Sequence, residues 1–475
     1  MIDARQYALT ATDGWIVLAV FSGIWILLGW FWGRHNKSLD DYMLAGRNVG
    51  MSLGIATAMA TWVTTSTTMA APQFALQLGI WGMLGYSLGS VGLILFAPLA
   101  KRIKQLMPTG YTSGDFIRIR YGNTTWRVFL LISLIYAVGW LVTLGMAGGI
   151  LVEALTGIPY IFGMTVILAA CVFYTLLGGL RAVIGTDFIQ TLLIIAGITT
   201  IGILVINQIG FEELHSSVSE QRPELLNLLM PASIMFLFNN LLFGVGEIFH
   251  SNVWWSRAFA FRANVGAKAY LLSGIFWMPI PVVAGFIALA VPALGLNIPA
   301  ADKVGPMVAA ELLGYGGAVL VFIVVFSALA SSLDSLLAAT SDLVMQDIYR
   351  GHINPSANKI QLRLKAKWII ILLGALTWGI SALQVDTLGN VLQFLGAFVA
   401  STIWPIIAGL YWRRIDGMTA SLAMLLGIAS GIAGYLWVGF YVAALLSAAA
   451  SMTVTIIGAV LTKDNFDWKK FSSQT

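Results

Sequence analysis

The sequence has 475 residues, of which 59% are hydrophobic and only 10% are charged. Soluble domains carry about 25% charged residues, so this composition excludes a soluble globular protein and predicts a single polytopic membrane domain. The net charge of +5 does not indicate a nucleic-acid partner, because the cations lie between apolar segments. The one cysteine, Cys171, excludes an intrachain disulfide.

Apolar segments of membrane-spanning length follow one another along the whole chain. A helix needs about 20 apolar residues to cross the hydrocarbon core. The first segment lacks a preceding basic region, which favours a retained helix over a signal peptide. We predict thirteen transmembrane helices, at 13–33, 50–76, 80–102, 128–156, 158–178, 183–207, 231–256, 267–293, 315–345, 366–384, 388–412, 417–438 and 440–462.

The lysines and arginines predict the orientation of these helices. With the N-terminus outside, all but three of the 26 lysines and arginines fall in segments that face the inside. Arg257 is one of these inner cations. The exceptions are Arg5, Arg222 and Lys303. This bias follows the positive-inside rule, so the sequence predicts an outer N-terminus and an inner C-terminus.

Two predicted helices, 50–76 and 231–256, are interrupted by polar residues. The first has a run of threonines before Pro72, and the second carries asparagines, glycines, Glu247 and His250. Unwound backbone is tolerated at membrane depth only where it is buried or lines a cavity. Interruptions at matching positions of two halves indicate an inverted-repeat transporter with its site at the breaks.

The repeat assignment divides the chain into four parts. One helix, 13–33, precedes the core, the repeats cover 50–207 and 231–412, and two helices follow within 417–462. We therefore predict an all-α membrane protein with a 5+5 inverted-repeat core, built as one transporter domain.

A hydroxyl-rich helix face lies between Phe326 and Arg350. Positions 328, 331, 332 and 335 share one face at helical spacing, and Asp334 lies beside them. Hydroxyl and carboxylate oxygens suit a hard cation such as sodium. The alternatives are that the serines only pack helices together and that the aspartate is a structural carboxylate.

Three other polar residues are candidates for a role in transport. Asp187 is either an interfacial charge near Arg181 or part of an ion exit route. Glu247 and His250 share a helix face and either contact the solute or are hydrogen-bonded in place, whereas Trp254 and the next tryptophan are read as packing or interfacial residues. No nucleotide loop, zinc spacing or nucleophile–base motif is present, so we expect no enzyme, and an ion gradient as the energy source.

Four stretches resemble the sodium/solute symporter family, which includes glucose, proline, pantothenate and urea symporters. The resemblance covers essentially the whole chain and implies the LeuT-type fold, with one helix before the ten-helix core and two after it. The stretches are DDYMLAGRNVGMSLGIATAMATW (40–62), GGLRAVIGTDFIQ (178–190), SALASSLDSLLAATSDLVMQDIYR (327–350) and WPIIAGLYWRR (404–414).

The resemblance also implies a sodium site between the second and ninth predicted helices. Its ligands would be the carbonyls of Ala60, Val63 and Ala328. The hydroxyls of Ser331 and Ser332 would complete the site.

A second cation site, present in some members, would match Asp187, Ser331, Asp334 and Ser335. Here Asp334 stands where relatives have a hydroxyl or a small residue. Two carboxylates near one pocket would either hold an added cation or share a proton.

The expected function is sodium-coupled import of a small polar solute, urea or a similar molecule, by alternating access. AGRNV, Trp62 and NVWWSRAFA (252–260) resemble the urea/polyamine branch. The candidate solute contacts are Thr64, Thr65, Glu247 and His250.

Alternatives to this function are proton-coupled symport of an amino acid, carboxylate or polyamine, and a transporter-like membrane sensor. A sensor would carry a signalling domain after the helices, which is not expected here. We expect no cofactor beyond Na⁺, and contacts with the solute, sodium and membrane lipids but not nucleic acid. The protein is expected to be a monomer or weak oligomer in a bacterial inner membrane.

Overall fold

A computed structural model describes residues 8–34, 38–463 and 465–474 of the chain. These residues are overwhelmingly helical, and their one β-type pairing is an isolated parallel bridge between Val49 and Phe261. The predicted all-α architecture is therefore confirmed for the described part of the chain.

The helices of the first half alternate long apolar elements with short amphipathic ones. Two of those outside the predicted spans begin at polar capping residues, Ser38 before the second helix and Thr112 before the seventh. In chain order the α-helices are α1 Ala11–Gly33, α2 Leu39–Leu44, α3 Met51–Trp62, α4 Ala71–Leu78, α5 Ile80–Ser87, α6 Val91–Leu106, α7 Ser113–Tyr121, α8 Asn123–Thr156, α9 Tyr160–Ile209 and α10 Phe211–Gln221.

The second half is built in the same way and contains the second interrupted helix. Several of its boundaries coincide with prolines or glycines, which end or bend helices. The α-helices are α11 Pro231–His250, α12 Asn252–Ala260, α13 Gly266–Trp277, α14 Pro279–Ala288, α15 Val291–Leu294, α16 Val304–Leu343, α17 Lys359–Ser381, α18 Leu388–Ala400, α19 Ile403–Tyr411, α20 Gly417–Trp437, α21 Ala443–Leu461 and α22 Lys469–Gln474.

Eleven helical segments of the described residues are long and apolar enough to cross a membrane. Two features account for the difference from the thirteen predicted helices. The predicted helix 50–76 is divided between α3 and α4, neither of which reaches spanning length. The predicted helices 158–178 and 183–207 are joined in α9. The count of thirteen and the orientation stay predictions.

Alpha9 is bent sharply at Gly179, where φ is +55° and ψ is −157°. A Cβ atom at this position would lie 2.6 Å from the carbonyl oxygen of Tyr42 in α2. Only glycine adopts such a conformation readily and allows so close an approach. A second bend, at Gly314 in α16, falls next to residue 315, the predicted start of that membrane helix.

The two interrupted helices lie at the centre of the helix bundle. Alpha3 packs against α9, α13 and α16, while α11 packs against α5, α6 and α18. The bridge joins Val49, two residues before α3, to Phe261, which follows the end of α12. The N–H of Val49 donates to Ala260 O and the N–H of Arg262 donates to Val49 O, both at 3.1 Å. The interruptions therefore lie inside the protein, as unwound membrane backbone requires.

The outer surface of the bundle is apolar. Leu27 on α1, Leu372 on α17 and Val460 on α21 are each more than 60% exposed. Large aliphatic side chains are unfavourable in contact with water at about 25 cal/mol per Å² of apolar surface. This surface fits the hydrocarbon of a bilayer, while serines, threonines and charged side chains are buried within the bundle.

We predict that Gly179→Ala lowers the free energy of unfolding. A left-handed backbone conformation costs a non-glycine residue about 1–2 kcal/mol, and the contact with Tyr42 adds to this cost. Thermal unfolding of the detergent-purified protein measures the effect. Gly316→Ala is the control, because that helical glycine has no heavy atom within 4 Å of its Cβ position. Equal unfolding midpoints for the two variants would contradict this account of the bend.

Candidate functional site

The first break separates α3 from α4 and is held open by threonine side chains. Alpha3 ends at Trp62, and Val63 leaves the helical region with φ −80° and ψ 81°. The N–H groups of Thr64 and Thr67 each donate to the other's hydroxyl at 3.2 Å, and the Thr67 hydroxyl donates to Trp62 O at 3.1 Å. Such hydroxyls compete with the helical hydrogen bonds, so the break predicted from the threonine run is confirmed.

The second break separates α11 from α12 at Ser251, where φ is −70° and ψ is 132°. The hydroxyl of Ser251 caps α12 by accepting from the N–H of Val253 at 3.4 Å. The next residue, Asn252, accepts from Ser113 N–H at 3.0 Å and donates to Ala339 O at 2.9 Å. This break is also confirmed, and it is fastened to α7 and α16.

The serine face of α16 packs against the first break. The Ser332 hydroxyl lies 3.1 Å from the carbonyl oxygen of Thr61 and 3.0 Å from that of Ala328. Ser331 makes a short hydrogen bond to Oδ1 of Asp187 in α9. The serines therefore meet carbonyls and a carboxylate rather than lipid.

The residues predicted to bind sodium surround this contact. Each has at most 1% of its surface exposed, and their carbonyls and hydroxyls are oxygen ligands of the kind that hard cations prefer. That all five bind one ion stays a prediction. They are Ala60, Val63, Ala328, Ser331 and Ser332.

A buried arginine lies beside the serine face. Arg257 of α12 is fully buried, and its Nη2 donates to the hydroxyls of Thr61 at 2.6 Å and Ser335 at 2.8 Å. The same nitrogen lies 3.3 Å from Oδ2 of Asp187, and Nε donates to Thr57 at 3.0 Å. The Thr57 hydroxyl in turn donates to that Oδ2 at 2.5 Å. One guanidinium thus connects α3, α9, α12 and α16.

This arrangement corrects two interpretations of the sequence. Arg257 is not a cation at the inner surface, because it is fully buried. Asp187 is not an interfacial charge near Arg181, because it is also fully buried and pairs with Arg257, while Arg181 pairs with Asp41 at 3.4 Å. Arg257 was assigned to the inner segment because the predicted helix 231–256 ended one residue before it, whereas α12 continues to Ala260.

The predicted second cation site is divided in the structure. Asp187 and Ser335 contact Arg257, whereas Oδ2 of Asp334 accepts from the Tyr174 hydroxyl at 2.9 Å. The other carboxylate oxygen, Oδ1, has no hydrogen-bond partner among the described residues. Burying an ionised carboxylate with one oxygen unpartnered is energetically unfavourable. Asp334 therefore lies in a different environment from Asp187, which pairs with Arg257.

Aromatic side chains form a buried cluster next to the first break. The ring of Trp62 lies 5.6 Å from Trp254, 5.7 Å from Trp277 and 6.2 Å from Trp140, measured between centroids. Trp277 in turn lies 6.1 Å from Tyr86. Trp254 is therefore a packing residue, one of the two roles predicted for it. Together the rings provide flat, apolar walls.

The polar residues of the second break border this cluster. Oε2 of Glu247 accepts from Nε1 of Trp254 at 2.7 Å, while Oε1 has no partner within the described residues. Both nitrogens of His250 also lack a partner there, and its ring lies 4.8 Å from Phe129 and 5.9 Å from Tyr136. Neither side chain is fully satisfied by the protein.

Further polar atoms without a partner in the described part of the chain occur around the same cluster. Buried polar groups are normally hydrogen-bonded, so such a concentration favours contact with a ligand or water. Two threonines were predicted to contact the solute. The Thr64 hydroxyl accepts a hydrogen bond within the break, whereas the Thr65 hydroxyl has no partner among the described residues. The other atoms are Trp62 Nε1, Tyr136 Oη and Trp277 Nε1.

A void of about 10 Å³, room for one water molecule at most, lies on the α16 side of the second break. Its walls include Tyr136, His250, Asn252, Leu336 and Thr340. The imidazole of His250 therefore borders this small void as well as aromatic rings.

Comparison with known proteins identifies the family. A sequence profile of the sodium:solute symporter family matches residues 42–427. The chain belongs to this family. The family is one of solute symporters, and the similar proteins described below are named as transporters.

Two curated relatives illustrate the range of the family. The chain is 27% identical to the urea-proton symporter DUR3 of Oryza sativa subsp. japonica over 90% of its own length and 66% of that protein. It is 25% identical to the osmoregulated proline transporter OpuE of Bacillus subtilis (strain 168), covering 87% of each chain. The symporter thus spans just under two thirds of the rice protein.

The fold is shared with a solved structure of a Na⁺-coupled sialic acid symporter in a substrate-bound, outward-open state. The TM-score is 0.80 with 17% sequence identity, covering 95% of this chain and 98% of the other. At this identity the likeness shows the fold alone, and it agrees with the LeuT-type architecture expected from the sequence.

Proposed function

We propose that the symporter couples sodium entry to the import of a small polar solute, urea or a close amide analogue. The observation that carries this proposal is the contact between the Ser332 hydroxyl of α16 and the Thr61 carbonyl at the first break. A helix carrying hydroxyls that faces freed carbonyls supplies neutral oxygens from two elements. A sodium ion bound there would join them.

The coupling would follow from the way the ion joins the two elements. Ala60 and Val63 belong to the broken segment, and Ser331 and Ser332 belong to α16. Because the Ser331 hydroxyl donates a hydrogen bond to Asp187, the lone pairs of its oxygen are available to a cation. Sodium would stabilise the break beside the aromatic cluster and favour solute binding, and solute binding would favour sodium to the same degree.

The aromatic cluster and second break form the proposed solute site. Urea is planar and offers four N–H donors and one carbonyl acceptor. The ring of Trp62 provides a flat wall, Oε1 of Glu247 provides an acceptor, and the indole nitrogens of Trp62 and Trp277 provide donors. Relatives named as urea transporters support this choice.

The proposal extends to the setting of the protein. We place the chain in a bacterial inner membrane with the N-terminus outside, as a monomer or weak oligomer surrounded by lipid. The exposed apolar surface of α1, α17 and α21 supports the membrane location. A sensor role is not favoured, because the relatives named above are transporters.

We predict that Ser331→Ala combined with Ser332→Ala abolishes the sodium dependence of urea uptake. Hydrogen bonds and ion contacts of charged groups contribute about 1.5–3 kcal/mol each, so losing two ligands lowers sodium affinity more than about 100-fold. The measurement is radiolabelled urea uptake into proteoliposomes with sodium or choline outside. Ser341→Ala, a buried serine further along α16, is the control. Unaltered sodium-driven uptake in the double variant would refute the site.

We predict that Glu247→Gln weakens solute binding without loss of the fold. The change keeps the shape of the side chain but puts an amide N–H₂ group in the place of the acceptor oxygen Oε1, so the apparent dissociation constant for urea should rise about 5- to 150-fold. Equilibrium binding to the purified protein, with unfolding midpoints as a check on folding, measures this. Glu212→Gln on the surface of α10 serves as the control. Wild-type urea affinity in Glu247→Gln would assign Glu247 a purely structural role.

Proton coupling is a second candidate, favoured by the position of Asp334. This buried carboxyl has one oxygen on Tyr174 and one without a partner among the described residues, which suits a group that gains and loses a proton. The rice relative is named as a urea-proton symporter. Under this alternative Asp334, rather than the serine pair, would carry the coupling ion.

Asp334→Asn distinguishes the two candidates. If protons drive transport, uptake into vesicles in choline medium should depend on an imposed pH gradient, and the variant should lose that dependence because an amide cannot bind the coupling proton. If sodium drives transport, wild-type uptake should need sodium at every pH, and Asp334→Asn should keep that requirement. Asp342→Asn, another buried aspartate of α16, is the matched control.

A further inference from the structure

We propose that the guanidinium of Arg257 is a tethered cation that fills a second ion site, so that this transporter moves only one coupling ion with each solute. The inference deepens the proposed function, on which it rests for the first ion site and the solute. It concerns Asp187 and Ser335, two of the residues that the sequence assigned to a second cation, together with Thr61.

The contacts of a single nitrogen carry the proposal. Nη2 of Arg257 has three oxygens within hydrogen-bonding or ion-pair distance: Thr61 at 2.6 Å, Ser335 at 2.8 Å and Asp187 at 3.3 Å. They come from α3, α16 and α9, and each of these side chains is fully buried. Hydroxyl and carboxylate oxygens converging from three helices form the kind of ligand set that a hard cation would need.

The guanidinium also balances the charge of this site permanently. Arginine does not release its proton in proteins, and its charge lies against the one carboxylate of the set, Asp187. A mobile cation entering the same place would meet a like charge at close range, and the other buried carboxyl nearby, Asp334, has one oxygen hydrogen-bonded to Tyr174. Arg257 therefore occupies this site in every state of the transport cycle in which its hydrogen bonds and its ion pair are intact.

A purely structural ion pair is the rival explanation of the same contacts. The two explanations differ in what removal of the guanidinium leaves behind. If the oxygens form an ion site, Arg257→Ala exposes a carboxylate and two hydroxyls to a mobile cation, and sodium should bind there. If Arg257 only fastens helices together, its loss should weaken the fold without creating a sodium response.

The first experiment titrates purified protein with sodium against choline at constant ionic strength and follows the unfolding midpoint. Stabilisation by a ligand rises with the logarithm of its concentration above the dissociation constant. Ser332→Ala, which damages the first site, should reduce the sodium response. The double variant Ser332→Ala/Arg257→Ala should regain a sodium-dependent rise of the unfolding midpoint. The triple variant that also carries Asp187→Asn should lose this rise again.

The same titration keeps this proposal separate from the proposed function. If the wild type shows no sodium response, the first site is wrong, but a new response in Arg257→Ala would still support the tethered cation. Arg257→Lys, which keeps a fixed charge, should behave as the wild type. Arg257→Ala without any sodium response beyond that of the wild type would overturn the proposal.

A second experiment uses the wild-type protein and so does not depend on the folding of a variant. Charge movement and radiolabelled urea uptake are measured together in proteoliposomes held at a fixed membrane potential. One mobile ion predicts about one elementary charge for each urea molecule. A ratio of two or more charges per urea would overturn the proposal.

Discussion

The ion pair between Arg257 and Asp187 is the interaction on which the centre of this protein depends. Both side chains are fully buried, and the pair reaches α3 through Thr57 and Thr61 and α16 through Ser335. A buried pair does not guarantee net stability, because both charges lose their hydration. The pair does constrain the positions of the two side chains, because either charge without its partner inside the bundle would be strongly unfavourable. The positions of four helices are therefore set by a single guanidinium.

The two breaks present different chemistry. At the first break, neutral oxygens of α3 meet the serines of α16. Near the second break, Glu247 and the indole of Trp62 have polar atoms without a partner among the described residues, next to aromatic rings. Under the proposed function, the ion and the solute would be bound without sharing ligands. Each ligand would then act on the other only through the conformation of the broken helices.

Much of the fold was predictable from the sequence because membrane helices leave strong local signals. Long apolar runs predicted the helices. The threonines before Pro72 and the polar residues around His250 predicted the two breaks. Local sequence signals failed where the conformation of a residue depends on a contact with a residue far away in the chain. The bend at Gly179 depends on the approach of Tyr42 from α2, and hydropathy alone does not register such contacts.

The site was predicted less completely than the fold for a related reason. The serine face was found because its residues share one helix, at a spacing that the sequence displays. The partner of Asp187 was missed because Arg257 lies 70 residues away on another helix, at the end of an apolar stretch where a cation resembles an orientation signal. Pairing between distant segments is a property of the packed bundle, and no periodicity in the chain encodes it.

The small bridge before α3 has a mechanical consequence. Two backbone hydrogen bonds join Val49 to Ala260 and Arg262, so the start of one broken helix and the end of the other are tied at a point away from both breaks. Backbone bonds of this kind do not depend on side-chain identity, and neither bond involves a residue of the proposed ion or solute site. A movement that separates the two half-helices at this end must therefore break two backbone hydrogen bonds.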